Sequence, residues 1–299
     1  MQKVAPIAYF TYNRPEHTKT SLDALKKNEL SSKSEIIIFS DGPKNNFDDI
    51  KKVKQVRNII KNLKGFKKKK LIFRKKNYGL YKNFVSGITE VCNKYGKIIV
   101  VEDDNKTSKY FLNFINDGLN LYKNNNSVCS INGWFYPKKN KLDETLFLLG
   151  GNTWGWGTWK RAWDKFNPDT NYLIKELKKK NMIKKFNLNN SFDYFSMLEK
   201  RHKKLNDSHT IIWKASTFLN KMFSLYPSSS LVQNIGFDGT GTHNKKPDNL
   251  HSHNFLYEKK IKLKKSKVKE SIEAVKFLEK FYRKNKAKMF LNKIKKSFF

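Results

Sequence analysis

The 299 residues carry 62 Lys and Arg against 26 Asp and Glu, a formal net charge of +36, and 38% are hydrophobic. That length and apolar content bury a full core, read as one domain over 1–255 and a basic tail over 256–299. No window approaches the roughly 18 uninterrupted apolar residues of a membrane span. The start, Met1 to Pro6, runs straight into strand-like sequence with no signal-peptide pattern, so a cytoplasmic protein is expected.

The charge draws the chain towards polyanions: nucleic acid, anionic lipid or phosphorylated substrates. The basic residues are mostly Lys, widely spread and interleaved with Asn, which equally describes solvated faces. Cys92 and Cys129 have no zinc-site spacing and read as small core residues.

Pro6 to Tyr12 reads as a buried strand, broken by Asn13-Arg14-Pro15 before a helix from Glu16 to Lys27. Glu35 to Ser40 is a second strand, with Asp41-Gly42-Pro43 at its end. Asp48 to Leu63 has helical spacing at Ile50, Val53, Val56 and Ile59-Ile60. After the Lys67 to Lys70 run comes a strand at Leu71 to Phe73, then the loop Asn77 to Leu80 and a helix from about Tyr81 to Lys94. Ile98 to Val101 is mostly β-branched and reads as a strand buried on both faces. It ends in Glu102-Asp103-Asp104. Three adjacent carboxylates do not sit inside a core without compensation, so they belong beyond the strand's C-terminal end, where open α/β sheets bind ligands. Such a cluster suits Mg²⁺ or Mn²⁺ bridging to a diphosphate, the alternative being a solvated strand end beside a basic neighbour.

The order βαβαβαβ predicts an α/β fold with a mostly parallel sheet, and the absence of GxGxxG after the first strand disfavours a dinucleotide-binding fold. A helix is expected over Lys109 to Tyr122 and a strand over Val128 to Ile131. Leu146 to Leu149 then leads into Gly150 to Trp159, where glycines alternate with three tryptophans. That pattern fits backbone approaching a ligand and rings packing on sugar faces, or a core corner. Lys160 to Lys203 is read as helical, and Asp207-Ser208-His209 precedes a helix holding Trp213. Tyr226 to His243 is a short strand opening into a glycine-rich loop, an expected lid or an exposed turn. From Lys259, 16 basic and three acidic residues surround Val268, Ile272, Val275, Leu278 and Tyr282. The spacing predicts an amphipathic helix, lying on an anionic bilayer or packed on the domain.

The run Ile99 to Asp104 followed by Tyr110-Phe111 resembles the metal motif of the N-acetylglucosaminyltransferase I group of inverting GT-A glycosyltransferases. Asn13-Arg14, Ser40-Asp41-Gly42, Asn77 to Leu80, Trp154 to Trp163 and Asn234 to Asp238 are similar, in the same order, to bacterial sugar transferases of that group. The likeness covers roughly residues 4 to 245. It implies a GT-A nucleotide-diphospho-sugar transferase fold and transfer from a nucleotide-sugar donor, UDP-linked by expectation, to a glycan or lipid-linked glycan hydroxyl. It implies Asp104 as ligand to Mn²⁺ or Mg²⁺, with His243 as a further metal candidate. Asp103, Arg14, Asp41, Asn77 and Gly79 would surround the nucleotide, and Gly151, Trp154 and Trp156 would line the donor sugar. Asp207 would be the catalytic base, with Asp193 in reserve. Two other readings remain at this point: a metal-dependent nucleotidyltransferase, and a nucleic-acid-binding protein. The second leaves the acidic strand end unexplained, because carboxylates repel phosphates, and nucleic acid is not the expected partner.

Overall fold

A computed structural model describes residues 4–136, 142, 144–239 and 256–297. The first half alternates strand and helix: β1 (Ile7–Thr11), α1 (Pro15–Lys26), β2 (Glu35–Ser40), α2 (Phe47–Lys61), β3 (Lys68–Phe73), α3 (Gly79–Tyr95) and β4 (Lys97–Glu102). Every residue of β1 and Ile98 to Val101 of β4 are buried, as their unbroken apolar runs require. Pro15 stands in the first turn of α1, where its missing N–H costs nothing. The Asn46 side chain caps α2 by accepting from Asp49 N, and Gly96, at φ 75°, ends α3.

The second half adds β5 (Asn105–Thr107), α4 (Phe111–Leu121), β6 (Val128–Asn132), β7 (Thr145–Leu149), β8 (Trp156–Trp159), α5 (Lys160–Trp163), α6 (Thr170–Lys179), α7 (Ile183–Phe186), α8 (Tyr194–His202), α9 (His209–Leu219), β9 (Phe223–Pro227), β10 (Val232–Asn234) and α10 (Ile272–Ser297). The eight-stranded sheet has the order β3-β2-β1-β4-β8-β6-β9-β7. Strands β3, β2, β1, β4, β6 and β9 run one way, β8 and β7 the other. This is the expected α/β arrangement with a mostly parallel sheet. The chain builds outwards from β1 through β2 to β3, then returns to lay β4 on the other side of β1. The β1–β4 junction is therefore a topological switch point, and its C-terminal side is where such sheets bind ligands. Strands β5 and β10 pair antiparallel beside it, with Asn105 opposite Asn234.

Three expectations need correction. The glycine–tryptophan run, read as packing on sugar faces or as a core corner, is core over its second half, where Trp156 to Trp159 form β8 in the middle of the sheet. The stretch 160–203 is four helices. Asn181, Leu188, Asn189, Asn190 and Lys204 adopt left-handed backbone between or after them, and Asp169 and Asp193 cap new starts, so Asn and Asp punctuate a sequence that Lys made look continuous. The tail is not separate from the domain. Residues 256–271 run extended along it: Tyr257 N donates to Ser230 O (2.9 Å), Ser266 N to the Tyr122 hydroxyl (3.1 Å) and Ser271 N to Phe147 O (2.9 Å). Helix α10 begins only at Ile272 and packs Ala274, Leu278 and Tyr282 into the core. Of the apolar stripe that fitted a bilayer, Leu278 and Tyr282 are buried, Val268 and Val275 pack on the core, and Ile272 is exposed. Among the described residues, no helix is long and apolar enough to cross a membrane.

Candidate functional site

Arg14 follows β1 and the acidic triplet follows β4, so the switch point brings them together. The Arg14 guanidinium donates through one nitrogen, Nη2, to Asp103 Oδ1 (2.5 Å) and Asp104 Oδ2 (3.0 Å). Asp103 is buried, and its Oδ2 accepts from Thr11 Oγ1 (3.3 Å) and Tyr12 N (3.4 Å). It fastens the two strand ends to each other and does not reach the cavity. Asp104 and Glu102 do reach it. Burial raises the Asp104 carboxyl above the usual range, with Asp103 adding repulsion and Arg14 offsetting part of both. Burial, then Asp104 and Asp103, push Glu102 well up. Burial disfavours the charge on Arg14, but the two aspartates outweigh it and hold the guanidinium protonated.

One cation thus faces three carboxylates, while Arg14 Nη1 is buried with no acceptor. Among the described residues that nitrogen has no oxygen partner and the carboxylates outnumber the guanidinium beside them, and a divalent cation carrying phosphate oxygens would answer both. Among the described residues, no three His, Cys, Asp or Glu side chains converge as a closed metal cage. His243 lies outside the described residues.

The opposite wall is the turn after β10. Ile235 N donates to Asp104 O (2.8 Å), and Gly236 N to Asn234 Oδ1 (2.8 Å). A Cβ on Gly236 would stand 2.5 Å from Asp104 Oδ2 and 3.0 Å from Arg14 Nη1, so the backbone approaches the carboxylate as closely as glycine permits. His17 of α1 holds this turn, its Nε2 lying 3.1 Å from Asp238 Oδ2 and 3.3 Å from Ile235 O.

Asp41 sits at the end of β2, buried. Its Oδ1 accepts from Gly42 N and Tyr78 N (2.8 Å each) and its Oδ2 from Gly79 N (3.0 Å), while Asn77 Nδ2 donates to Gly42 O (2.7 Å). Burial raises the Asp41 carboxyl, and those three amides pull it back. Asp41, Asn77 and Gly79 therefore form one clamped turn. Of that segment the cavity wall includes Leu80. Asp49 escaped sequence reading. It accepts from the Tyr12 hydroxyl, Asn13 Nδ2 and Lys44 N, at 2.5 Å each, and ties the loop after β1 to the loop after β2. It stands in the first turn of α2, where an acidic residue is ordinary and draws no notice.

The cavity, of about 480 Å³, runs from Arg14 and Asp104 past Gly151, Asn152 and Trp154 to helices α7, α8, α9 and α10. Gly151 is pinned by its N–H on Thr217 Oγ1 (2.8 Å) and lies so close to the Trp213 ring that a Cβ would stand 2.1 Å from its nitrogen. Trp154 lies edge-on to Trp134 and Phe237. Trp156 is a correction: it is fully buried, packed on Trp163 and Trp213, and belongs to the core beneath the site. Asp193 is another. Its Oδ1 accepts from Ser196 N (3.0 Å) as the cap of α8 and from Asn187 Nδ2 (3.2 Å), and it lines a separate hollow with Ser191, Phe192 and Tyr282. Asp207 lies between Asn206 and Ser208, both of which line the main cavity. His209, one residue on, stacks on Phe84 at 4.6 Å and also faces the cavity.

No protein-family model matches the chain, and no curated protein matches its sequence. Among solved structures, the chain is similar to S. aureus TarS, with a TM-score of 0.41 and 12% identity over 75% of this chain and 36% of that one. TarS 1-349 gives a TM-score of 0.40 and 12% identity over 75% and 60% of the two chains. The same TarS segment in complex with UDP-GlcNAc gives 0.33 and 15% over 48% and 39%. The chain spans less than two thirds of each of these proteins, and likeness at this level does not identify a family.

Proposed function

We propose that the chain transfers a sugar from a nucleotide-sugar donor to an acceptor hydroxyl. The observation that carries this reading is the meeting of Arg14, Glu102 and Asp104 at the β1–β4 switch point, with an unpartnered guanidinium nitrogen beside a cavity of about 480 Å³. Asp104, with Glu102 beside it, would hold Mn²⁺ or Mg²⁺. When bound there, the ion supplies Lewis-acid stabilisation to a leaving diphosphate. Arg14 favours the ionised form of Asp104 against its burial and orients it, and the clamped turn at Asp41 and Gly79 offers a rigid flank for the nucleotide. The Gly151–Trp154 wall presents a backbone edge and an aromatic face to the sugar. Asp207 is the proposed base, removing the acceptor proton as the hydroxyl attacks the anomeric carbon in one inverting displacement. TarS in complex with UDP-GlcNAc makes a UDP-sugar the first donor to try.

The test is a screen of nucleotide sugars, with and without Mn²⁺ and with chelator, reading released nucleoside diphosphate. Metal-dependent release that Asp104→Asn abolishes, with the fold intact, supports the reading. Absence of release from every donor, together with no binding of UDP, refutes it.

A further inference from the structure

The two ends of the cavity differ in chemistry. The switch-point end is charged and the far end is apolar, walled by Leu148 of β7, Phe186 of α7, Leu188, Phe192, Met197 of α8 and Leu278 of α10. Its polar groups are engaged with one another. The Tyr136 and Tyr194 hydroxyls each bond that of Tyr282, Glu270 accepts from Leu149 N (3.2 Å) and lies 3.6 Å from Lys185 Nζ, and Lys214 Nζ lies over the Tyr194 ring at 4.5 Å.

We infer that this end holds a hydrophobic group of the acceptor, an alkyl or prenyl aglycone next to the hydroxyl that is glycosylated. The inference rests on the donor reading above, because continuity of one cavity makes whatever fills the far end a co-substrate. A bare glycan fits poorly: hydroxyls pressed against leucine, methionine and phenylalanine would lose their water without gaining partners. An alkyl chain loses nothing there and leaves water in favour of the same side chains. The tail has a specific part in this, since Leu278 and Tyr282 are both wall and core. Two residues of what the sequence offered as a membrane-binding stripe, Leu278 and Tyr282, thus form part of the wall of the acceptor site.

The test uses the full chain and a series of alkyl β-glucosides from methyl to octyl, below micelle-forming concentration, titrated by calorimetry beside a separate titration with UDP. Affinity should climb with chain length by up to about fourfold per methylene until the end is filled. Met197→Asp, at a half-buried position on α8, should abolish the climb while UDP binding is unchanged. Leu278→Ala should shift the chain length at which the climb stops. Affinity independent of chain length, or a climb that Met197→Asp leaves intact, overturns the inference. Chain-length dependence that Met197→Asp removes, without any UDP binding, upholds the apolar end and overturns the donor reading instead.

Discussion

Arg14→Ala removes the cation that bridges Asp103 and Asp104. The three side chains are 20%, 7% and 15% exposed, so solvent screens the interaction little. Breaking such a buried pair by deleting one partner costs about 3–5 kcal/mol, because the remaining carboxylates keep their desolvation penalty without its compensation. At about 2–4 °C per kcal/mol for a large domain, the melting temperature should fall by roughly 6–20 °C. The pH dependence has a definite sign. Burial already raises the Asp104 and Glu102 carboxyls, and without the guanidinium they rise further. A carboxyl whose folded value lies above its unfolded one takes up protons on folding, so the penalty is full at high pH and fades as pH falls through the folded value. Scanning calorimetry of wild type and variant should show the gap narrowing as pH falls from neutral through the raised range of these carboxyls. Adding Asp103→Asn to the variant should recover part of the loss. An unchanged melting temperature, or a gap that does not move with pH, would refute the argument that one guanidinium holds this cluster.

Gly236→Ala forces Asp104 or Arg14 away from a contact at 2.5 Å towards the 3.4 Å of ordinary packing. A displacement near 1 Å at a reacting centre costs about 100-fold in rate, so diphosphate release should drop on that scale with little change in melting temperature; full activity would detach Gly236 from the site. Asp193→Asn should preserve the cap of α8, Asp193→Ala should cost about 0.5–2 kcal/mol in denaturant titrations, and neither should slow transfer as Asp207→Asn does. If Asp193→Asn alone stops transfer, the base is Asp193. Burial pushes the Cys92 thiol up to about 12 and the Cys129 thiol up to about 11. Both should resist iodoacetamide near pH 8 until the protein is unfolded, and because the unfolded thiols ionise first, they should lower stability as pH rises above about 9.

The parallel core was legible because β1, β2 and β4 are short unbroken apolar runs, which leave few structures other than buried strands. The acidic triplet was legible for the converse reason, since charge at the end of such a run has no place inside. Arg14 and Asp41 were marked by lying just after strands. The rest depended on partners distant in sequence. Trp156 looked like a ligand contact because its neighbours are glycines, yet Trp163 and Trp213 close over it. Asp193 looked like a free carboxylate because nothing local shows that it starts a helix after Asn190. Leu278 and Tyr282 have the spacing of a surface-seeking helix, and their burial becomes visible only when β7 and Tyr136 are placed opposite them. Gly236 matters through Asp104, 132 positions away along the chain.

The sheet has two outer strands, and they are sheltered by different means. Along β7, Ser271 N and the Glu270 carboxylate take up Phe147 O and Leu149 N, so the basic tail occupies the rim where another chain's strand would otherwise add. At the far rim, no such strap lies along β3 among the described residues, and the strand begins with three lysines. Lys69 turns inward, donating to the carbonyls of Ile60, Lys61 and Leu63 at the end of α2, while Lys68 and Lys70 stay exposed. Two molecules meeting edge to edge there would bring the like charges of Lys68 and Lys70 together, which is how many natural sheets keep from polymerising. The lysine run that interrupted the strand pattern in the sequence is thus what keeps this strand its own, and a chain with those lysines neutralised would be the one to watch for fibres.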